Sequence, residues 1–139
     1  MKRIQAIALF SLAALSASTG ALAQDRVLKV DVPFYFTVGN EMLPAGSYVV
    51  SSPQAGTVQF QSSDRRRIAA IVTTPGFQEA KTGSELVFHK YGQQYFLHQI
   101  LCPGSSRMNV NIAPSAREKR ARTLEASLDS GQQVVIAAR

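Results

Sequence analysis

The feature that most constrains this chain is the segment from Leu86 to Leu101, LVFHKYGQQYFLHQIL. Two runs rich in aliphatic and aromatic residues flank the polar segment Gly92-Gln93-Gln94, a pattern typical of a β-hairpin. β-Branched and aromatic side chains suit a strand that packs one face on a core. The segment therefore predicts two antiparallel strands at the centre of a β-rich fold.

Shorter alternating runs predict more strands on either side of this hairpin. Residues 27–38 place apolar side chains on one face, and Pro33 favours an edge or a bulge because it has no N–H for a ladder. Turn residues such as Gly39-Asn40 and Leu43-Pro44-Ala45-Gly46 separate the runs. Further strands are predicted at residues 47–52, 57–61, 67–74, 107–112 and 133–137, with a loop at 75–84.

One helix is predicted near the C-terminus. Ser115 and Glu118 have the spacing of a capping box, in which each side chain bonds to the backbone N–H of the other residue. The helix is expected from Ala116 to about Ser130, stopped by Gly131. Its narrow apolar stripe toward the sheet is Ala121, Leu124 and Leu128, and its basic residues are Arg117, Lys119, Arg120 and Arg122.

These elements predict a mainly β fold: an antiparallel β-sandwich or small β-barrel of about eight short strands with one C-terminal α-helix. No repeat or second hydrophobic centre is visible, so residues 24–139 are predicted to be a single β-rich domain. The pattern does not choose between sandwich and barrel. The choice matters because an eight-stranded barrel can hold a small ligand, whereas a packed sandwich cannot.

The N-terminus has the pattern of a secretory signal peptide. Lys2 and Arg3 precede an uncharged apolar run, and Ala21-Leu22-Ala23 supplies the small residues of a cleavage site after Ala23. The apolar run is shorter than the ~20 residues of a membrane-spanning helix. We therefore predict that residues 1–23 are a signal peptide. The rest is expected to be exported to the periplasm or the cell exterior and not to span the membrane after cleavage.

Charge and cysteine content limit the partners. The full chain has a net charge of +6, which favours acidic partners without identifying one. Export, and the lack of an RNA-binding aromatic-basic motif, argue against nucleic acid. Cys102 is the only cysteine, so no disulfide can form within one chain. Two interpretations of Cys102 follow: a small buried residue at a strand end, which we favour, or a thiol that pairs between chains.

Two longer segments carry a family resemblance. In the segment Val32 to Val50, VPFYFTVGNEMLPAGSYVV contains Val-Pro-Phe-x-Phe-x-Val-Gly and Leu-Pro-Ala-Gly-x-Tyr, and Phe88 to Leu97 reads Phe-His-Lys-Tyr-Gly-x-x-Tyr-Phe-Leu. With its signal peptide, the chain resembles a group of exported bacterial proteins, mainly acidobacterial, that have no assigned activity. The resemblance covers most of the mature chain and implies export, but it implies no catalytic residue.

The two histidines are candidates for a metal site. A two-residue hairpin loop would place His89 opposite Phe96 and His98 opposite Val87, so that both imidazoles lie on one face as diagonal neighbours. A three-residue loop would send them to opposite faces. Two ligands are fewer than zinc needs, and Glu85 or Cys102 would have to complete the set. We predict no cofactor and no metal, and keep a metal-dependent site at His89 and His98 as an alternative.

Other weak candidates for ligand binding are basic or aromatic. Arg65, Arg66 and Arg67 could contact an anionic polymer or lipid, although we favour their interpretation as a solvated turn. The basic residues of the predicted helix could likewise contact an anionic partner or form a solvated helix face. A sugar-binding platform would need exposed tyrosines together, whereas strand tyrosines more often pack their rings. The tyrosines concerned are Tyr91 and Tyr95, with Tyr35 and Tyr48.

No motif for nucleophilic, acid–base or phosphate chemistry is visible. The prediction is therefore an exported, non-catalytic β-domain that acts as a binding or structural module of the periplasm or cell surface. Its partner would be a protein, a polysaccharide or a small apolar ligand. The alternative is a carrier of a small apolar ligand, since a barrel followed by a helix and a last strand is similar to the lipocalin arrangement.

Overall fold

The computed structural model describes residues 26–126 and 132–139. The mainly β fold class is confirmed, with strands in two sheets and a single short C-terminal helix, α1 (Ala116–Glu125). The predicted signal peptide, residues 1–23, lies outside the described residues. Strands in the described part are β1 (Leu28–Val32), β2 (Phe36–Val38), β3 (Glu41–Leu43), β4 (Gly46–Gln54), β5 (Thr57–Ser62), β6 (Ile68–Val72), β7 (Thr74–Pro75), β8 (Ser84–Tyr91), β9 (Gln94–Leu101), β10 (Val110–Asn111) and β11 (Gln132–Ala138).

The two sheets curl toward each other as a half-barrel. The first sheet has the order β1-β4-β5-β6, and the second has β11-β8-β9-β10-β7 with the β2–β3 hairpin attached to β9. Lys29 and Arg139 exchange two backbone hydrogen bonds of 2.7 and 2.9 Å, which link β1 to the end of β11. The fold is therefore intermediate between the sandwich and the closed barrel that the sequence left open.

The chain changes sheet near Pro33. One continuous strand was predicted over residues 27–38, but β1 ends at Val32 and β2 begins at Phe36. Pro33 is exposed in this break, as expected for a residue that cannot donate to a ladder. Thr37, predicted to face outward, is buried because β2 lies between β3 and β9.

Aromatic rings fill the centre of the half-barrel. The Phe36 ring contacts Tyr48, Phe88 and Phe60 at centroid distances of 5.3, 5.5 and 6.1 Å. All four side chains are almost completely buried, and edge-to-face pairs of this kind stabilise a core beyond the burial of their area. The space that a carrier would need for an interior ligand is thus occupied by the protein's own side chains.

The central hairpin has a two-residue loop, Gly92-Gln93, which is one of the two loop lengths that the sequence left open. Gly92 takes a positive φ of 60° there, Tyr91 pairs with Gln94, and His89 pairs with Phe96. A bulge between Val87 and Phe88 then shifts the register, so that Val87 pairs with Gln99 instead of His98. An extra residue on one strand changes the pairing beyond it, which alternation alone does not reveal.

The end of the hairpin and the segment after it agree only in part with the prediction from the sequence. Cys102 is buried just after β9 and accepts a hydrogen bond from the Ser84 hydroxyl at 3.5 Å, as a packed residue at a strand end does. The predicted strand at 107–112 is reduced to β10, because turns occupy residues 106–108. Its apolar face is nevertheless buried: Met108, Val110 and Ile112.

Helix α1 begins as predicted and ends earlier. The Ser115 hydroxyl accepts from the Glu118 N–H at 3.2 Å, and the last helical residue is Glu125. Ala121 is buried on the hairpin, but Leu124 is 72% exposed, so the predicted stripe toward the sheet is wrong at Leu124. The rest of that prediction, Leu128 and the Gly131 stop, lies outside the described residues. No helix in residues 26–126 and 132–139 is long and apolar enough to cross a membrane.

Candidate functional site

The two histidines lie together beneath α1. Their rings stack with centroids 3.9 Å apart and an angle of 20° between the planes. Both belong to the central hairpin, His89 to β8 and His98 to β9. The hairpin therefore brings both imidazoles to one face, as the two-residue loop implied.

Glu118 is the acidic partner of this pair. Its Oε1 lies 3.1 Å from Nδ1 of His89, and the residue is only 3% exposed. The capping box had predicted that this carboxylate returns to the Ser115 N–H. It faces the sheet instead, because Glu118 and Ala121 are three residues apart and share the helix face that packs on the hairpin. A buried carboxylate needs a hydrogen-bonding partner, and His89 supplies one.

Burial also controls the titration of the groups around this contact. Desolvation lowers the pKa of His98, the neighbouring His89 lowers it further, and Glu118 opposes both effects. Nδ1 of His98 is buried without a hydrogen-bond partner among the described residues. Burial raises the pKa of Tyr91, with Glu118 as the second cause. His98 is therefore held in a site that favours the neutral imidazole.

The stacked imidazoles are poorly arranged to share a metal ion. Each nitrogen lone pair lies in its ring plane, so a common ion would have to lie in two planes that are nearly parallel. Glu85 and Cys102, the proposed additional ligands, are at the opposite end of the hairpin, where Glu85 pairs with Leu101. Among the described residues, no group of three or more histidine, cysteine or acidic side chains is placed to hold a metal.

The pair also lacks the remaining parts of a nucleophilic site. A histidine oriented by a carboxylate becomes a useful base when it contacts a hydroxyl or thiol. Among the described residues, the side-chain hydrogen bond at His89 goes to Glu118, and His98 Nδ1 has no partner. The contact between His89 and Glu118 therefore attaches α1 to the sheet.

A surface groove lies on the other side of α1. It has a volume of about 650 Å³ and runs between the helix, the β2–β3 hairpin and the start of β9. Its polar lining comes from Asn40, Gln94, Arg117 and Arg120. Its apolar lining comes from Met42, Ala116, Ala121 and Leu124.

Two arginines and no acidic side chain are among the described residues that line this groove. Neither Arg117 nor Arg120 forms an ion pair with another described residue. The two arginines are three residues apart on α1 and therefore lie on the same side of the helix. Met42 and Leu124, both mostly exposed, add apolar surface beside the two guanidinium groups.

The arginine candidates of the β5–β6 turn are in a different environment. Arg65, Arg66 and Arg67 are all exposed, and Arg65 has a positive φ of 58°. The Arg66 Nε lies 3.8 Å from an oxygen of Asp64, whose other oxygen accepts from the Ser62 hydroxyl. Asp64, and Asp31 in the groove beside Arg65, therefore accompany this cluster, which fits the interpretation as a solvated turn.

The tyrosines do not form a platform. Tyr91 is buried beneath α1 with Phe96 and Ala121, and Tyr48 lies in the core. Tyr95 stacks on Phe34 at a centroid distance of 3.8 Å, and the Lys90 ammonium lies 5.6 Å from the Tyr95 ring centre. Tyr35 alone of the four is well exposed. Ring packing, the more ordinary role of strand tyrosines, accounts for Tyr48, Tyr91 and Tyr95.

Sequence reasoning missed the groove itself. It identified the basic helix face but not Met42, Asn40 and Gln94, which come from segments far from α1 in the sequence. It also missed the contact between Glu118 and His89. The spacing of Arg117 and Arg120 was a local signal for one wall, whereas the opposite wall depends on how the β2–β3 hairpin packs.

Comparison with known proteins adds no family assignment: no family model, curated protein or solved structure matches this chain.

Proposed function

We propose that this protein is an exported, non-catalytic binding module that holds a small anionic amphiphile in the groove beside α1. The observation that carries the proposal is the pair of guanidinium groups of Arg117 and Arg120, which form no ion pair among the described residues and lie next to the exposed side chains of Met42 and Leu124. A carboxylate with a hydrocarbon chain matches both parts of this surface. Guanidinium groups bind carboxylates through charge-assisted hydrogen bonds, and apolar side chains favour burial of the chain.

The export part of the proposal rests on the N-terminal sequence. Lys2 and Arg3, the apolar run after them and Ala21-Leu22-Ala23 have the arrangement of a cleaved signal. The non-catalytic part is supported by the histidine pair, in which Nδ1 of His89 contacts Glu118 and Nδ1 of His98 has no hydrogen-bond partner among the described residues. A surface groove also suits a binding module better than an interior carrier, because aromatic rings occupy the centre of the half-barrel.

The test is isothermal titration calorimetry of the mature protein with dodecanoate, kept below its critical micelle concentration. Dodecyl maltoside, which has the same chain length and no charge, serves as the reference ligand. We expect dodecanoate to bind and dodecyl maltoside to bind much more weakly. Dodecanoate binding should also weaken as salt is raised, since exposed charges are screened over about 10 Å at 0.1 M ionic strength.

Two double variants make the test specific to the groove. Replacing Arg117 and Arg120 by glutamine should weaken dodecanoate binding about 10- to 100-fold, as expected for the loss of charge-assisted hydrogen bonds. Replacing Arg65 and Arg66 by glutamine removes the same charge from the other basic region and should leave the affinity unchanged. Equal weakening by both double variants would mean that net charge alone attracts the ligand, and the groove assignment would be wrong.

A further inference from the structure

A second surface, separate from the groove, lies at the open edge of the first sheet. Strand β6 ends the order β1-β4-β5-β6, so among the described residues only one of its edges is paired, by β5. The strand reads Ile68-Ala69-Ala70-Ile71-Val72 and contains no charged residue and no proline. Sheets usually protect such edges with lysine, proline or a covering segment.

Two backbone hydrogen bonds determine which groups of β6 face this edge. The Ser62 N–H donates to the Arg67 carbonyl at 3.0 Å, and the Thr73 N–H donates to the Gly56 carbonyl at 2.8 Å. Backbone groups alternate between the two edges of an antiparallel strand. Odd-numbered residues from 67 to 73 therefore point toward β5. The N–H and C=O groups that point away from β5 belong to Ile68, Ala70 and Val72.

The same three residues carry an exposed apolar surface. Ile68 is 57% exposed and Val72 is 79% exposed, and Ala70 between them is exposed as well. Their inward-facing neighbours are more buried, with Ala69 in the core and Ile71 packed against it. The edge thus combines unpaired backbone groups with apolar side chains, both of which a second β-strand would cover.

We propose that this protein forms a two-fold symmetric dimer in which β6 pairs with β6 of a second copy in antiparallel orientation, centred on Ala70. In this register Ala70 faces Ala70 of the second copy, and Ile68 faces its Val72. Each of these is a hydrogen-bonded pair, because all three residues direct both backbone groups toward the partner. The two four-stranded sheets become one continuous sheet, through an interface that uses the same surface on both copies.

The charges beside β6 agree with this register. Arg66 of one copy would lie beside Thr74 of the other, and the two Arg66 residues would be separated by eight residue positions. That distance is about 27 Å at 3.4 Å per residue, so the basic turns would not repel each other strongly. A parallel pairing would bring both arginine runs to the same end. The sequence around β6 is therefore self-complementary in the antiparallel orientation.

Sedimentation velocity on the mature protein, from about 1 µM to about 1 mM, tests the proposal over the usual range of weak self-association. Ala70→Pro removes an N–H that points away from β5, so the strand can remain in its own sheet. It should raise the dimer dissociation constant about 10- to 100-fold, because two central hydrogen bonds are lost. Ala70→Thr keeps the N–H and should remain dimeric.

A side-chain variant provides an independent check if Ala70→Pro does not fold. Val72→Lys places a charge on the edge and should also yield monomers, whereas Val135→Lys, on the exposed face of β11, should not. A wild-type protein that is monomeric throughout the concentration range would overturn the proposal. So would a dimer that survives Val72→Lys, since the interface would then lie elsewhere.

Discussion

Two arginine-rich regions of this protein, the N-terminal half of α1 and the β5–β6 turn, look alike in the sequence and differ in the structure. The turn carries three consecutive arginines, and Asp64 lies next to Arg66 at 3.8 Å. On α1, Arg117 and Arg120 border a groove with apolar walls and have no ion pair among the described residues. The two regions therefore differ in the groups that lie beside their arginines.

The same comparison explains how each region is held in place. The turn is ordered by local hydrogen bonds, in which the Ser62 hydroxyl contacts Asp64 and accepts from the Arg67 N–H. Helix α1 depends on distant residues, since Ala121 packs on Tyr91 and Phe96 and Glu118 contacts His89. Changes that loosen α1 should therefore affect the groove, whereas changes in the turn should remain local.

The largest effect is expected when α1 is forced off the hairpin. Ala121→Glu adds volume and charge at a buried contact and should lower the free energy of unfolding by about 1–3 kcal/mol, as overpacking does. It should also abolish dodecanoate binding. Urea denaturation and calorimetry would measure the two effects. Ala55→Glu, at an exposed alanine before Gly56, is the matched control, and an equal loss of stability there would contradict the docking of α1.

A smaller loss is expected from Ser115→Ala, which removes the helix N-cap. The Ser115 hydroxyl accepts from the Glu118 N–H, and loss of such a cap costs about 1 kcal/mol. Dodecanoate binding should weaken with it, because the groove wall is formed by α1. Ser62→Ala in the turn should affect stability without changing the affinity. Weaker binding in the Ser62 variant would mean that the two regions are coupled.

The two regions should also respond to different pH ranges. The folded protein disfavours the charged form of His98, so the unfolded chain takes up a proton first as the pH falls below the ordinary value of 6.5. The free energy of unfolding should therefore decrease from pH 6.5 downward, and His98→Asn should reduce this slope. In the turn, hydrogen bonding lowers the pKa of Asp64. The contribution of Asp64 to the free energy of unfolding should therefore be lost only below pH 3.8. Urea denaturation between pH 4 and 8 would separate the two groups, and an unchanged slope in His98→Asn would contradict this assignment.

The smallest effect is expected from Asp64→Asn. This change leaves Arg66 without its neighbouring carboxylate and makes the turn more basic. It should not create a second site for dodecanoate, because Asp31 still lines the groove that holds Arg65 and the groove beside Arg67 contains a single arginine. Calorimetry should still give one binding event with the wild-type affinity. A second binding event would show that uncompensated charge is sufficient, and the contrast between the two regions would then be lost.

Much of the fold was predictable because its signals are local. Residue types and alternation located the hairpin around Gly92-Gln93-Gln94, without its loop length, and Ser115 located the start of α1. The predictions were wrong where a neighbouring element decided the outcome. Thr37 is buried because β2 has a strand on each side, and the bulge at Val87 changes the pairing of His98.

The candidate site was predictable only in its parts. The stacking of His89 on His98 follows from the hairpin register, which residue types and loop length suggest. The placement of Glu118 does not follow from the hairpin register. The capping-box pattern assigned the Glu118 carboxylate to Ser115, whereas in the structure the docking of α1 turns it toward His89. The local capping-box rule was wrong for this carboxylate, because a contact between distant residues provides the hydrogen-bonding partner that a buried carboxylate needs.

The sequence by itself determined the β-rich class, the central hairpin, the start of the helix and the unusual uncharged run of β6. Each of these depends on neighbours within a few residues, where backbone preference and side-chain alternation act directly. Tertiary structure alone decided which arginines face an apolar wall and which edge of the half-barrel stays open. Those outcomes depend on packing between segments far apart in the chain, and the groove between α1 and Met42 is formed by such packing.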